Sequence, residues 1–203
     1  MIEDLTTEMS AIIERSYCDS SNSHRLGDVI KQVSVRNKDN ATNNVLSVSN
    51  KQGFINQSEQ FEDRIVASDD TSNYKVVHKD DFAYNPARIN VGSIARLTSY
   101  GVGIVSPMYI CFDVKSNIVP EFIEHFFSTN KFFIEMQKRL EGSVRLCLSF
   151  ENLCNIPIHV FCLDEQTRIA KRISVLSQKI DIEYRSLICL QKQTQFLLRQ
   201  MFI

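Results

Sequence analysis

DEQTRIAKRISVLSQKIDIEYRSLICLQKQTQFLLRQMF, residues Asp164 to Phe202, runs without a glycine or a proline and decides the architecture of the C-terminal part of the chain. At 1.5 Å per residue such a stretch predicts a helix of roughly 55–60 Å. Steps of four and three residues pick out Ile169, Ile173, Leu176, Ile180, Glu183, Leu187, Leu190, Thr194, Leu197 and Met201, of which eight are apolar. That is the period of a coiled-coil seam. Beside it a second column, Val175, Ile182, Cys189 and Phe196, repeats every seven residues. A two-stranded coil would leave that column polar, so residues 163–203 are expected to form one long coiled-coil helix that meets more than one neighbour. Ile169, Ile173, Leu176, Ile180, Leu187, Leu190, Leu197 and Met201 are its expected interface.

At the other end, Ile2, Leu5, Met9 and Ile12 recur with the same spacing and predict a short amphipathic helix over residues 1–16. This helix is a candidate neighbour for the long one. Residues 17–24 carry the polar run Cys18-Asp19-Ser20-Ser21-Asn22-Ser23 and read as a linker. Residues 25–162 mix short strand-like runs, at Val45–Val48, Tyr74–Val77, Ile104–Phe112 and Ile156–Phe161, with loops rich in Asn, Asp and Gly. Arg36–Asn44 and Asn50–Gln60 read as loops or weak hairpins. Pro120 opens a helix whose apolar stripe includes Phe122, Phe126, Phe127, Phe133, Ile134, Met136 and Leu140, with a break expected near Ser128-Thr129-Asn130. The expected fold is therefore an α/β (α+β) domain of mixed and antiparallel strands with short helices, followed by one long coiled-coil C-terminal helix.

The 203 residues hold 23 Lys and Arg against 24 Asp and Glu, a net charge of -1, with 43% hydrophobic residues. That is ordinary globular composition and excludes wholesale disorder. It also argues against a generic polyanion binder, which would be strongly basic. The charge is unevenly spread: residues 1–24 contain five acids and one base, while residues 163–203 contain seven bases and four acids. The two terminal helices thus complement each other as packing partners. No run approaches the ~18 apolar residues of a membrane span, and the acidic start Met1-Ile2-Glu3-Asp4 is no signal peptide, so a cytoplasmic protein without membrane association is expected. Six cysteines include no CxxC pair, and Cys111, Cys147 and Cys162 sit in apolar strand-like context, where reduced thiols behave as small hydrophobes. Cys147, Cys154, His159 and Cys162 have spacings unlike a structural zinc site, so no metal is expected.

No catalytic constellation emerges. Tyr84-Asn85-Pro86-Ala87 lacks the second proline and the aromatic residue of an amino-methyltransferase loop. Gly101-Val102-Gly103 precedes a strand rather than a helix and reads as a turn, not a cofactor loop. Asp113-Val114-Lys115 has no second carboxylate for a nuclease, and His24, His78, His125 and His159 show no ligand spacing. Polar loop chemistry remains. Arg36, Lys38, Asn50, Lys51, Arg88, Asn90, Ser93 and Arg96 lie in the first half of the domain with Asn40, Asn43, Asn44, Gln52 and Asn85. Arg pairs bidentately with guanine and Asn or Gln with adenine, while Lys and Ser suit phosphates. The same residues also fit plain solvated turns.

Several ordered segments carry a resemblance: Arg25-Leu26-Gly27-Asp28-Val29; Tyr84-Asn85-Pro86-Ala87-Arg88-Ile89-Asn90-Val91-Gly92-Ser93-Ile94-Ala95; Val105-Ser106-Pro107-Met108-Tyr109; Gly142-Ser143-Val144-Arg145-Leu146-Cys147-Leu148-Ser149-Phe150-Glu151-Asn152-Leu153; Ile156-Pro157-Ile158; and Glu165-Gln166-Thr167-Arg168-Ile169. In this order the chain resembles the specificity subunit of type I restriction-modification systems, from Arg25 through the C-terminal helix. It departs from the family at Phe161-Cys162-Leu163, where a proline is usual. The resemblance implies a target recognition domain followed by a spacer helix, and a noncatalytic subunit that reads double-stranded DNA. It further implies docking to methyltransferase subunits, which would carry S-adenosylmethionine while this chain needs no cofactor, and association with a restriction subunit through the complex. With one domain and one helix the chain corresponds to half a specificity subunit, and a homodimer reading an interrupted palindrome is expected. The rival reading is a noncatalytic coiled-coil protein-interaction adaptor.

Overall fold

The computed structural model describes residues 2–17, 24–38, 40–50, 52–57, 70–143 and 145–201. Residues 18–23 of the expected linker 17–24, and Lys51 and residues 58–60 of the Asn50–Gln60 segment, lie outside the described residues; Gly53–Asn56 of that segment form a strand that pairs with Val45–Ser49 as a hairpin. In chain order the elements are α1 (Ile2–Tyr17), β1 (His24–Arg25), α2 (Leu26–Val29), β2 (Ile30–Val33), β3 (Val45–Ser49), β4 (Gly53–Asn56), β5 (Lys75–His78), β6 (Phe82–Tyr84) and a 3-10 turn at Ile89–Val91. There follow β7 (Ile94–Arg96), β8 (Val102–Val105), β9 (Ile110–Val114), α3 (Pro120–Phe126), α4 (Asn130–Gln137), α5 (Phe150–Cys154), β10 (Pro157–Ile158) and α6 (Leu163–Met201). No helix is long and apolar enough to cross a membrane, among the described residues.

Two four-stranded sheets lie back to back. The first, in the order β2-β9-β6-β7, is antiparallel throughout. The second, β4-β3-β8-β5, has one parallel pair, β3 with β8. Side chains alternate across a strand, and β6 and β9 use that alternation to divide large from small. Phe82, Tyr84 and Phe112 point into a core shared with the helices, whereas Ala83 and Cys111 point toward the second sheet. The helix-side core is aromatic, with Phe82 and Phe112 stacked at 5.1 Å and Phe127 edge-on to both. Leu46, Val48, Phe54, Val77 and Val105 of the second sheet close over the small side chains.

The expected strand Ile104–Phe112 is in fact two strands in different sheets. Pro107 cannot donate to a ladder, and a turn closed by the Tyr109 amide on the Ser106 carbonyl (3.0 Å) carries the chain from β8 to β9. The expected strand at Ile156–Phe161 shortens to Pro157–Ile158, and Cys162 is exposed rather than strand-buried. Cys111 is buried as expected, and burial pushes its thiol up to about 12. Strands β2, β6 and β7 were not expected, being too short for a periodic signal. The helix break falls where the sequence places it: Thr129 accepts the Phe132 amide through its hydroxyl and starts α4.

Pairing of β1 with β10 sets the entrance of the domain beside its exit, with His24 opposite Ile158 and Arg25 opposite Pro157. Hence α1 meets α6. Ile2 and Glu3 lie by Ser186 and Leu190, and Glu8 lies by Arg168 and Arg172, so the two helices run antiparallel. Ile12, Ile13 and Tyr17 of α1 and Ile169 and Ile173 of α6 enter the helix-side core. Tyr17 is 2% exposed and its hydroxyl donates to the Phe122 carbonyl at 2.5 Å. The N-terminal helix is thus part of the domain's core.

Gly103 of β8 is needed for packing, not for a turn or a cofactor. A Cβ there would stand 2.3 Å from Leu46 Cδ1 and 3.2 Å from the Asn44 carbonyl oxygen. Gly103→Ala is expected to destabilise the domain by about 1–3 kcal/mol, the range for an overpacked core, read as a lower urea midpoint with unchanged m-value. Gly101→Ala, whose added Cβ would meet nothing within 4 Å, serves as the control.

Candidate functional site

The eight residues expected to meet DNA do not form one cluster. Arg36 lies next to the β5 edge of the second sheet, bridged to Lys75, and its guanidinium donates to Asn73 Oδ1 at 2.7 Å. Lys38 is exposed in the adjoining turn, which Asn37 organises by donating to the Thr42 carbonyl and accepting the Thr42 amide. Asn50 lies just beyond the end of β3, on the other side of β8 from the β5 edge. Lys51 lies outside the described residues.

The segment from Asn85 to Arg96 is a joint between the sheets. Asn85 is buried and accepts the Ala87 amide through Oδ1, while its own amide donates to the Ser93 carbonyl. Gly92 ends the 3-10 turn at φ +90°, a left-handed conformation suited to glycine. Ser93 is 1% exposed and its hydroxyl donates to the Val48 carbonyl at 3.2 Å, tying β3 to the first sheet. It is therefore a fastening inside the protein and not a phosphate contact. Asn90 is half-buried in the 3-10 turn. Arg88 is exposed, and its backbone is held at both ends: its amide donates to Asn85, and its carbonyl accepts from Val91 and Ser93.

Arg96 has a different role from the expected one. Its guanidinium is engaged by three carboxylates, Asp80, Glu121 at 2.7 Å and Glu124 at 2.9 Å, and its side chain is 10% exposed. Three acids around one base leave the local charge negative, which repels rather than attracts a phosphate. A concavity of about 330 Å³ beside it is lined by Asn50, Gly92, Ile94, Arg96, Glu124 and Ser128 among others. Burial raises the Glu124 carboxyl above its ordinary value, against the lowering effect of Arg96. The neighbouring His125 is held down to about 4, first by burial and then by Arg96, and its Nε2 has no hydrogen-bond partner.

Along α6 the seam divides in two. Ile169 and Ile173 are buried, and Leu176 and Ile180 are half-buried beside α1. Leu187, Leu190 and Leu197 are exposed, as are Val175, Ile182 and Phe196 of the second column. The Met201 side chain lies outside the described residues.

This architecture has a counterpart. The model of the type I restriction modification DNA specificity domain matches residues 19–192. The chain belongs to that family. Specificity-subunit structures share its fold: the HsdS subunit from Thermoanaerobacter tengcongensis superposes with a TM-score of 0.58 at 14% identity, over 91% of this chain and 46% of that one. The type I restriction-modification S subunit from M. genitalium gives 0.58 at 16% identity, over 100% and 55%. A chain from a structure describing complex assembly and conformational transition of the type I R-M system gives 0.61 at 13% identity, over 97% and 50%. This specificity domain thus spans about half the length of those chains. No curated protein matches it.

The motifs that carried the resemblance are largely structural. Leu26 is fully buried, Gly27 lies against Cys154, and Asp28 Oδ2 accepts the Arg25 amide at 2.7 Å. Gln166, 1% exposed, accepts the Val119 amide at 2.9 Å and donates to the Phe161 carbonyl at 2.9 Å, so it joins the root of α6 to the domain. Two predictions follow the electrostatics. Arg96→Met leaves three carboxylates uncompensated, and because those acids are partly exposed the cost is about 1–3 kcal/mol, read as a melting temperature several degrees lower. His125 takes up its proton near 6.5 when unfolded but only near 4 when folded, so its contribution to stability is lost as pH falls across that window. Glu124, raised by burial, opposes this. The difference in melting temperature between pH 7 and pH 5 is expected to be smaller in His125→Leu than in the native protein.

Proposed function

We propose that this chain is a noncatalytic specificity subunit that reads one half of an interrupted DNA site and docks methyltransferase subunits through α6. Those subunits would carry S-adenosylmethionine and the chemistry, and a restriction subunit would join through them. One observation carries the reading: a specificity domain of the type I family holds a helix of 39 residues whose root is buried in the domain core and whose outer half exposes an apolar column at Leu187, Leu190 and Leu197.

The helix is about 58 Å long, more than one DNA turn of ~34–36 Å. Two copies joined antiparallel along α6 would hold two recognition domains at opposite ends of a two-fold axis, which suits an interrupted palindrome. Because α1 already covers Ile169 and Ile173, the second copy uses the outer seam and the flank column. A groove between α1 and α6, lined by Glu8, Arg168, Lys171, Arg172, Val175 and Leu176, is then available to a methyltransferase subunit.

The test is co-expression with type I methyltransferase subunits followed by mapping of methylated adenines. Methylation confined to one interrupted palindrome is expected, and methylation without sequence preference would overturn the reading. Association is tested apart from it. Leu197→Asp, at an exposed position, should leave the melting temperature unchanged and yield a monomer in sedimentation, since a charge would be buried in the seam. Ile173→Asp, at a buried one, should lower stability by several kcal/mol, on the order of 3–5. A dimeric Leu197→Asp protein would rule out pairing through the outer half of α6.

A further inference from the structure

Arginine is the side chain best suited to phosphate and guanine, and it acts on a partner only when its own chain leaves it free. Within residues 24–162 the described arginines are Arg25, Arg36, Arg88, Arg96, Arg139 and Arg145. Four bond within the chain, Arg25 and Arg36 from exposed positions to neutral asparagines, Arg96 and Arg139 to carboxylates. Arg25 donates to Asn155 Oδ1, Arg36 to Asn73 Oδ1, Arg96 to its three carboxylates, and Arg139 to Glu135 at 2.6 Å. Arg88 and Arg145 alone of these make no side-chain hydrogen bond or ion pair, and both are exposed.

These two free arginines stand on loops that are fastened to each other. The Leu148 amide donates to the Pro86 carbonyl at 3.0 Å, and the Tyr84 hydroxyl donates to the Leu148 carbonyl at 3.2 Å. Leu148 and Tyr84 are both fully buried, so the fastening is dry. The Arg145 loop is closed at its base by a reciprocal pair of backbone bonds between Glu141 and Cys147, at 3.0 and 2.8 Å. Gly142 turns it at φ +118°, where an added Cβ would stand 2.4 Å from the Arg145 carbonyl oxygen. Ser149, next along the chain, accepts the Asn152 amide and starts α5. Both loops are therefore fastened at their described bases before any ligand arrives, while the two arginine side chains are exposed. Such preorganisation lowers the ordering cost of a contact.

We infer that the loop bearing Arg145 is a second arm of the DNA interface, and that Arg88 and Arg145 together grip the phosphate backbone of the duplex. This rests on the DNA-reading function proposed above. It assigns contact to a segment that the sequence does not mark as a binding loop, and joins it to the Pro86–Arg88 loop through Leu148. The chemistry is sequence-independent: two guanidiniums on fixed loops set the register of the domain on DNA, and base reading is left to the polar loops.

The experiment is fluorescence-anisotropy titration of a mixed-sequence 30-base-pair duplex with the full chain over a series of KCl concentrations. The variants are Arg88→Gln, Arg145→Gln, Arg145→Lys, the double Gln variant and, as a control on the far end of α6, Lys192→Gln. Each lost phosphate contact lowers the slope of log Kobs against log salt by about 0.9 and weakens binding up to about tenfold near 0.1 M salt. Arg145→Gln and Arg88→Gln are each expected to show that loss, the double variant about twice the slope change, and Arg145→Lys and Lys192→Gln none. Circular-dichroism melts should be the same for all, because neither guanidinium holds the fold. Arg145→Gln binding with the native slope, while the native chain binds duplex, would overturn the second arm and leave the recognition reading standing. Failure of the native chain to bind duplex at low salt, alone or with methyltransferase subunits, would overturn both.

Discussion

A sheet buried on both faces governs this protein. Phe82 and Phe112 stack at its centre, and the strands that carry them present aromatic rings to the helices and Ala83 and Cys111 to the second sheet. Strict alternation makes each register unique, since a slip of one residue would drive rings into the space that accepts only small side chains. With the sheet fixed, α1, α3, α4 and α5 pack as one layer, and the first turns of α6 are drawn into the same core. The long helix is thus anchored in the domain and not tethered to it. A rigid root is what a spacer needs, because the direction of α6 sets where a second domain or subunit stands.

Electrostatics is partitioned by the same layout. Arg96 emerges from β7 at the edge of the first sheet, where α3 brings Glu121 and Glu124 over it and the turn before β6 brings Asp80. Its charge therefore holds a helix to a sheet. Arg88 and Arg145 emerge from loops, and among the described residues neither side chain pairs with a carboxylate. Among the described arginines of the domain, Arg88 and Arg145 are thus the two left without a side-chain partner.

Much of the fold was legible in the residues. The four-three spacing from Ile169 to Met201 required a long helix, and Thr129 marked the break between α3 and α4. The strands read from apolar runs at Val45 and Tyr74 are present within a residue or two. Strands of three or four residues such as Phe82–Tyr84 and Ile94–Arg96 escaped, because so short a segment holds no period and takes its conformation from the strands beside it. The site was less legible. Ser93 and Arg96 have the chemistry of DNA contacts and are used as internal ties, while Arg145 sits in a segment that the sequence offers only as a family motif.

The amino-acid sequence by itself determined the helix, its two apolar columns and the family motifs, since these depend on residues a few positions apart. Tertiary structure decided which side chains remain available. The β1–β10 pairing brings α1 onto α6 and covers the inner seam, leaving the outer seam exposed. The convergence of Asp80, Glu121 and Glu124 occupies Arg96, and the Pro86–Leu148 bond joins the loops of Arg88 and Arg145. Each of these links residues distant in sequence, through contacts that exist only after the chain has closed, and a linear pattern carries no record of them.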